Sequence, residues 1–227
     1  MKKSLITLNQ KIIKCKKCDR LVQFRTKIAK EKRKQFINEN YWGKPVVGYG
    51  DSNAQLLIIG LAPAAHGGNR TGRVFTGDKS ADFLFKCLFK TRLSNQPNSD
   101  HIKDGLKMFN TYLTPALKCV PPGDKPTREE LRTCFSYLKA EFDLLHNVTT
   151  ILALGKIAFD SCINFYKENF PIQNKDYIFS HASKFTMPDN KNLIASYHPS
   201  PRNVNTGRIN VNKMVLLLQK VKKNLSS

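Results

Sequence analysis

The alternation of short apolar runs with helical patterns constrains the fold of this chain more than any other feature of its sequence. Four apolar runs of strand length occur, at residues 55–59, 112–117, 148–154 and 193–197. Each is followed by a segment with apolar residues at helical spacing, at residues 80–90, 127–145, 155–165 and 209–221. Continuous apolar runs are typical of strands buried on both faces, and strand–helix alternation is typical of parallel sheets. We therefore predict an α/β fold with a central four-stranded parallel sheet flanked by helices.

The N-terminal part of the chain has a different pattern, which is helical and strongly basic. Leu21, Phe24 and Ile28 lie at helical spacing, and the first forty residues contain neither glycine nor proline. We predict a helical segment over residues 1–45 that precedes the sheet, within a single domain spanning residues 1–227.

The charge balance points to a polyanionic partner. Lys and Arg number 38 against 17 Asp and Glu, which gives a net charge of +21. A hydrophobic content of 41% argues against a disordered basic tail, because such tails combine high charge with low hydrophobicity. No apolar run approaches the roughly 20 residues of a membrane helix, and the N-terminal residues lack the pattern of a secretory signal. We expect an intracellular monomer in a reducing compartment, with no contact to a membrane.

Four of the six cysteines have a spacing that is informative about metals. Cys15 and Cys18 lie within one turn, and Cys119 and Cys134 flank a Pro-Pro-Gly turn. Because disulfides are rare in reducing compartments, these four thiols are candidates for a structural zinc or iron–sulfur site, and spacing alone does not separate the two. Incidental thiols are the alternative. The other two cysteines lie on apolar helix faces and are predicted to be core residues, at positions Cys87 and Cys162.

Two loops at strand ends are candidates for a binding site. The loop at residues 60–78 is rich in glycine but lacks the lysine and hydroxyl pattern of a phosphate-binding P-loop, so no nucleotide cofactor is predicted. The loop at residues 198–208 joins a histidine to a stiff Pro-Ser-Pro segment and two arginines, a composition that suits insertion beside DNA bases. The alternative is a proline-rich turn in which Thr206 caps the next helix.

Four separated pieces of the sequence together resemble one enzyme family. They are the Cys-x-x-Cys pair at 15–18, Tyr41-Trp42-Gly43, the loop at 60–78 and the loop at 198–208. They resemble the iron–sulfur branch of the uracil-DNA glycosylase superfamily, and family 5 within it more closely than family 4. The resemblance runs from about Cys15 to Arg208. It implies a structural 4Fe–4S cluster on Cys15, Cys18, Cys119 and Cys134.

The resemblance also implies an activity. Such enzymes of base excision repair flip uracil, and in some cases other deaminated bases such as hypoxanthine or xanthine, out of DNA and hydrolyse the N-glycosidic bond. In this chain His198 matches the histidine that reaches the carbonyl oxygen of the leaving base. Phe75 matches the aromatic residue on which the base stacks, with Gly60 and Ala62 beside it. The residues that match the loop wedged into the minor groove are Ser200, Pro201 and Arg202.

The residue that positions the attacking water is left open by the sequence. Leu61 and Ala62 stand where other branches of the superfamily carry Asp, Asn or Glu. The candidates that remain are Asn69 and Asp78. Asp78 is equally well placed to be the N-cap of the following helix, and Asn69 to be a turn residue.

Pro115 stands where family 4 enzymes carry an asparagine, so strict recognition of uracil is in question and a broader range of deaminated bases is expected. No lysine in the two loops suggests a Schiff base, so strand cleavage is not predicted. Two alternative functions are a non-catalytic iron–sulfur DNA-binding relative and a zinc-containing hydrolase of nucleotides.

Overall fold

A mixed six-stranded sheet forms the centre of the structure, a computed structural model that describes residues 3–225. In chain order the strands are β1 Tyr49–Gly50, β2 Leu56–Gly60, β3 Thr111–Pro115, β4 Thr150–Leu154, β5 Lys184–Thr186 and β6 Asn192–Ser196. Their spatial order is β1-β3-β2-β4-β6-β5, and the four central strands are parallel. The predicted four-stranded parallel core is therefore confirmed. The antiparallel edge strands β1 and β5 were not predicted.

The four central strands are almost wholly buried because helices cover both faces of the sheet. Alternate residues of β2 enter different cores: Leu56 and Ile58 face one, and Leu57 and Ile59 face the other. This division explains why the sequence shows a continuous apolar run instead of polar alternation. The helices are α1 Lys3–Ile13, α2 Asp19–Glu31, α3 Gly68–Thr71, α4 Lys79–Lys90, α5 Arg128–Leu144, α6 Lys156–Lys167, α7 Pro201–Asn205 and α8 Val211–Leu225.

The N-terminal segment contains the predicted helices, but it is helical over a shorter range than residues 1–45. After α2 only a short 3-10 turn, Lys34–Phe36, precedes β1. Helix α1 packs on α5, and α2 packs on α3. The prediction of one domain over residues 1–227 stays a prediction, and its residues 1, 2, 226 and 227 lie outside the described part of the chain.

Helix α5 begins at a capping box. The hydroxyl of Thr127 accepts a hydrogen bond from the Glu130 N–H, and the Glu130 carboxylate accepts one from the Thr127 N–H. The same carboxylate receives two hydrogen bonds of 2.7 Å from Arg20 of α2. The N-terminal helices are thereby tied to the start of α5. In residues 3–225, no helix combines the length and the apolar composition required to cross a membrane.

Candidate active site and cysteine site

A cavity of about 730 Å³ opens at the carboxyl ends of the central strands. Gly60 at the end of β2, Pro115 at the end of β3 and Leu154 at the end of β4 line it, and so does His198, which follows β6. In open parallel sheets this edge is where ligands bind. The two loops that the sequence singled out, 60–78 and 198–208, form opposite walls of the same cavity.

Phe75 and His198 face each other across this cavity. Their ring centroids are 6.4 Å apart and their planes are inclined by 25°. The Phe75 ring also lies directly over Gly60, where a Cβ atom would come within 2.5 Å of the ring. Glycine at position 60 is therefore required for this placement of the aromatic ring, and the structure brings Gly60, Phe75 and His198 together.

Phe75 is held in an unusual backbone conformation by its neighbours. Its φ angle is +48°, a left-handed value that costs a residue with a Cβ roughly 1–2 kcal/mol. Arg73 fixes one side: its guanidinium donates two hydrogen bonds to the Asp104 carboxylate, at 2.9 and 2.5 Å. It also donates to the hydroxyls of Thr76 and Ser99, at 2.9 and 2.8 Å. This buried network anchors the chain on both sides of Phe75.

His198 is neutral in this environment. Burial lowers the pKa of its imidazole to about 4. Its backbone carbonyl accepts a hydrogen bond of 2.8 Å from the Asn203 side chain, which fixes the start of the loop. No side chain among residues 3–225 is hydrogen-bonded to the ring nitrogens. A neutral imidazole carries one N–H donor, and here that donor is available to a ligand.

Asp78 lines the cavity and is also the N-cap of α4. Its Oδ1 atom accepts hydrogen bonds from the N–H groups of Ser80 and Ala81, at 2.9 and 3.0 Å. Its Oδ2 atom lies over Gly67, where a Cβ atom would be 2.2 Å away. Burial raises the pKa of this carboxyl, and the two N–H groups oppose that rise. Capping occupies one oxygen and leaves the other for further interactions.

Asn69 is not among the residues that line the cavity. Its side chain is 1% exposed, and Nδ2 donates a hydrogen bond of 3.2 Å to the Arg25 carbonyl oxygen in α2. Its own carbonyl accepts from the Gly43 N–H at 3.0 Å. Asn69 thus joins the loop at 60–78 to the N-terminal segment, and its amide is directed toward α2.

Ser200, Pro201 and Arg202 lie on the rim of the cavity, at the start of the short helix α7. The Ser200 hydroxyl accepts from the Asn203 N–H, and Pro201 and Arg202 are exposed. The alternative in which Thr206 caps the following helix is wrong. Its hydroxyl, just after α7, donates to the Arg202 carbonyl in that short helix, and α8 is capped by Asn210, which accepts from the Lys213 N–H.

The four cysteines with ligand spacing line a second, small cavity. Cys15 and Cys18 come from the connection between α1 and α2, whereas Cys119 follows β3 and Cys134 lies in α5. Leu21 and Leu117 are part of the apolar wall. Cys87 and Cys162, in contrast, are fully buried in the two main cores, as predicted.

Burial and nearby hydrogen-bond donors act in opposite directions on the thiols of this second cavity. Burial raises the pKa of Cys119 to about 11 and that of Cys134 to about 12, and it also raises the pKa of Cys18. The N–H of Lys118 donates to the Cys134 sulfur at 3.3 Å, and the Arg25 guanidinium donates to the Cys119 sulfur at 3.1 Å. Donors directed at buried sulfurs favour thiolates, which are the form that binds metal.

The sequence profile of the uracil DNA glycosylase superfamily matches residues 47–222, which include both walls of the first cavity. The chain belongs to the uracil DNA glycosylase superfamily. It is 40% identical over 214 residues to the type-5 uracil-DNA glycosylase of Thermus thermophilus, covering 94% of this chain and 95% of that protein. It is 41% identical over 207 residues to the type-5 enzyme of Mycobacterium leprae, covering 91% and 89%.

A type-4 uracil-DNA glycosylase is a more distant relative. The protein from Archaeoglobus fulgidus is 26% identical over 202 residues, covering 87% of this chain and 82% of its own length. The predicted resemblance, closer to family 5 than to family 4, is confirmed.

One wall of the cavity in this superfamily member was missed by the sequence analysis. The first turn of α6 lines it through Gly155, Lys156 and Ile157, and Asp124 lines it as well. Gly155 has a φ angle of +97°, and its Cα packs against His198. The available signal was the position of Gly155 at the carboxyl end of β4, which corresponds to that of Gly60 at the end of β2.

Proposed function

We propose that this chain is a monofunctional uracil-DNA glycosylase, which binds a uracil nucleotide flipped out of DNA and hydrolyses its N-glycosidic bond. The observation that carries the proposal is the meeting of Phe75 and His198 across one cavity, in a chain aligned over more than nine-tenths of its length with type-5 enzymes. The cavity lies at the position where a parallel sheet presents loops to a ligand.

Departure of the base is the step that the cavity is suited to assist. Breaking the bond from C1′ to the base nitrogen leaves positive charge on the sugar and negative charge on the base. The N–H of neutral His198 can donate to the base carbonyl oxygen where this negative charge develops. The backbone N–H of Ala62 is a second donor at the cavity wall, because no described residue accepts a hydrogen bond from it. A preorganised donor of this kind is typically worth about 3–4 kcal/mol.

Asp78 is proposed to orient the attacking water. Its Oδ1 atom is occupied by the helix N-terminus, so Oδ2 is the atom left to accept a proton of the water. The water oxygen bonds to C1′, its proton passes to the carboxylate, and the products are an abasic sugar and free uracil. Burial favours proton uptake by this carboxyl because it raises the pKa. The placement of Asn69 outside the cavity supports Asp78 over Asn69 for this role.

A monofunctional reaction is supported by the state of Lys156, a lysine that lines the cavity. Its Nζ donates to both carboxylate oxygens of Asp160, at 2.6 and 2.7 Å. A nucleophilic lysine must direct its Nζ atom at the reacting sugar, and this Nζ atom is engaged by Asp160 instead. We therefore propose that the DNA strand is left intact.

The rim of the cavity is proposed to contact DNA. Ser200, Pro201 and Arg202 form an exposed, rigid projection beside the opening, and Arg208 lines the same side. Apolar wedges accompanied by arginine are a common means of opening a base step from the minor groove. The net charge of +21 supplies attraction to phosphates that does not depend on sequence.

A structural 4Fe–4S cluster is proposed for Cys15, Cys18, Cys119 and Cys134. When bound, such a cluster would be ligated by the four thiolates and would link the N-terminal helices to α5. No group of three or more His, Cys, Asp or Glu side chains in the described chain is arranged to hold a metal ion, although all four cysteines line one cavity.

The range of bases is proposed to extend beyond uracil. Pro115 lines the cavity and offers no side-chain donor to the edge of a base. A pocket with fewer side-chain readers discriminates less between uracil and other deaminated bases such as hypoxanthine and xanthine. We further propose that the protein acts as a monomer in a reducing compartment, where cysteine thiolates persist.

The deciding experiment uses a duplex with one uracil and a matched duplex with thymine at that position. Strand breaks at the uracil after alkali, and intact strands without alkali, are the expected result. Breaks without alkali would contradict the monofunctional mechanism. Tight binding of the uracil duplex with no breaks after alkali would identify a non-catalytic relative instead. A colourless protein that contains zinc and no iron would contradict the proposed cluster.

A further inference from the structure

Arg25 is a buried cation beside the cysteine site. Its side chain is on α2, and the residue is only 5% exposed. One guanidinium nitrogen, Nη1, donates to the Cys119 sulfur at 3.1 Å, and Nη2 donates to the Cys15 carbonyl oxygen at 3.1 Å. Nε is buried without a hydrogen-bond partner. A single arginine thus contacts residues from both halves of the four-cysteine set.

The counter-anion of Arg25 is not a carboxylate. Among residues 3–225, no Asp or Glu forms an ion pair with it. The other buried cation nearby, Lys118, is neutralised by Glu141 at 2.6 Å, and Arg20 on the same helix is paired with Glu130. Burying an unpaired guanidinium is costly, since such groups are normally paired when removed from water. The groups that this site offers to Arg25 are the cysteine sulfurs, which would lose their protons on binding a metal cluster.

We propose that Arg25 is the counter-cation of the iron–sulfur cluster, donating a hydrogen bond to the Cys119 sulfur and raising the reduction potential of the cluster. The inference rests on the cluster assigned under Proposed function. A cluster on four thiolates is anionic, and its potential depends on net charge and on hydrogen bonds to the sulfurs. A fixed positive charge favours the reduced, more negative state. The planar fork of arginine also joins Cys119 to the Cys15 backbone, which a point charge cannot do equally well.

The position of Arg25 is fixed from its other side by the loop that carries Phe75. Asn69 donates its side-chain amide to the Arg25 carbonyl oxygen, and Asn69 lies in α3 within that loop. Residue 25 is therefore clamped between the cysteines and loop 60–78. This clamping fixes the backbone of residue 25, and the two bonds to Cys119 and Cys15 hold its guanidinium.

The test compares Arg25→Met, which keeps the length of the side chain without its charge, with Arg25→Lys and the control Lys30→Met, at an exposed lysine of the same helix. Each protein is purified without oxygen and its iron content, visible absorbance, far-UV circular dichroism and reduction potential are measured. For Arg25→Met we expect a chelator to remove the cluster at least tenfold faster than from the unmodified chain, as followed by the visible absorbance. We also expect the ratio of reduced to oxidised cluster at a fixed potential to fall at least tenfold. For a one-electron couple this corresponds to a reduction potential lowered by about 59 mV.

Arg25→Lys keeps the charge but loses the fork, so its potential should change less than that of Arg25→Met while its cluster is released faster than in the unmodified chain. Lys30→Met should match the unmodified chain in both measurements. If Arg25→Met matches Lys30→Met, the role proposed for Arg25 is wrong and the cluster stands. If the unmodified chain holds no iron after anaerobic reconstitution, the cluster and this proposal both fail. Should Arg25→Met not fold, an Arg25→Lys protein equal to the unmodified chain would overturn the proposal.

Discussion

At the scale of single residues, the neutral state of His198 determines what this side chain can contribute. Replacing it by alanine removes the proposed donor to the departing base, so we expect a loss of about 10²–10³-fold in the single-turnover rate. DNA affinity should change little, because phosphate contacts supply most of it. Rapid-quench kinetics and fluorescence anisotropy on a uracil duplex measure the two quantities. His146→Ala, an exposed histidine between α5 and β4, is the matched control. An equal loss in both variants would contradict the assignment.

The pH dependence follows from the same burial. Because the pKa of His198 is about 4 in the folded chain, its imidazole should show no titration between pH 5.5 and 8. A rate that falls above an apparent pKa near 6.5 would mean that the imidazolium is needed, against this expectation. The pH dependence of the free energy of unfolding has a defined sign. The pKa of this imidazole in the unfolded chain is about 6.5, so the stability linked to neutral His198 is present above that value. This stability is lost as the pH falls toward 4. In urea unfolding, the free energy of unfolding of His198→Ala should therefore decrease less on acidification than that of the unmodified chain.

Asp78 and Asn69 can be separated by substitutions that preserve local structure. Asp78→Asn retains a good N-cap for α4 but removes the proton acceptor, so we expect about a 10²-fold lower rate with nearly unchanged stability. Asn69→Ala removes the hydrogen bond to Arg25, so we expect about 1 kcal/mol lower stability and a nearly unchanged rate. Single-turnover kinetics and urea unfolding give both numbers. The reverse pattern would assign the positioning of the attacking water to Asn69 instead of Asp78.

At the scale of elements, loop 60–78 owes its shape to the clamp of Arg73 on Asp104. Asp104→Asn leaves a buried guanidinium without its counter-charge, so we expect a loss of about 3–5 kcal/mol in the free energy of unfolding. Release of Phe75 should also raise KM for the uracil duplex more than it lowers kcat. Asp100→Asn, an exposed neighbour in the same turn, is the control for urea unfolding and steady-state kinetics. Wild-type stability in Asp104→Asn would exclude the clamp.

The sequence predicts some elements well for a physical reason. Strands β2, β3, β4 and β6 are buried on both faces, so the apolar requirement is visible in each run on its own. The edge strands β1 and β5 are two and three residues long and partly exposed. They exist only because a neighbouring strand supplies hydrogen bonds, and such long-range pairing leaves no local pattern. The contribution of the first turn of α6 to the cavity also depends on long-range packing, which leaves no local pattern.

Site residues follow a similar division. Sequence motifs led to the residues of both loops, and the structure gathers Phe75, Asp78 and His198 at one cavity. The direction of a side chain within a loop is set by distant partners, so the motif could not show that Asn69 is directed toward Arg25. Nor could it reveal Arg25, whose position 25 carries no ligand spacing and gains its meaning only from the packing of α2 on the cysteine site.

At the scale of the whole molecule, the net charge of +21 makes DNA binding a matter of counterion release. We expect the logarithm of the association constant for a duplex without uracil to fall linearly with the logarithm of salt concentration, by about 0.9 for each phosphate neutralised. Arg202→Ala should reduce that slope by about 1, because Arg202 is exposed on the rim. Asp78 precedes the first residue of α4, whereas the exposed Arg92 follows its last residue and so lies at the other end of this helix. Arg92→Ala should therefore leave the slope unchanged. Anisotropy titrations at several salt concentrations measure all three slopes. Equal slopes for the two variants would mean that the rim does not face DNA and that the basic surface binds without regard to the cavity.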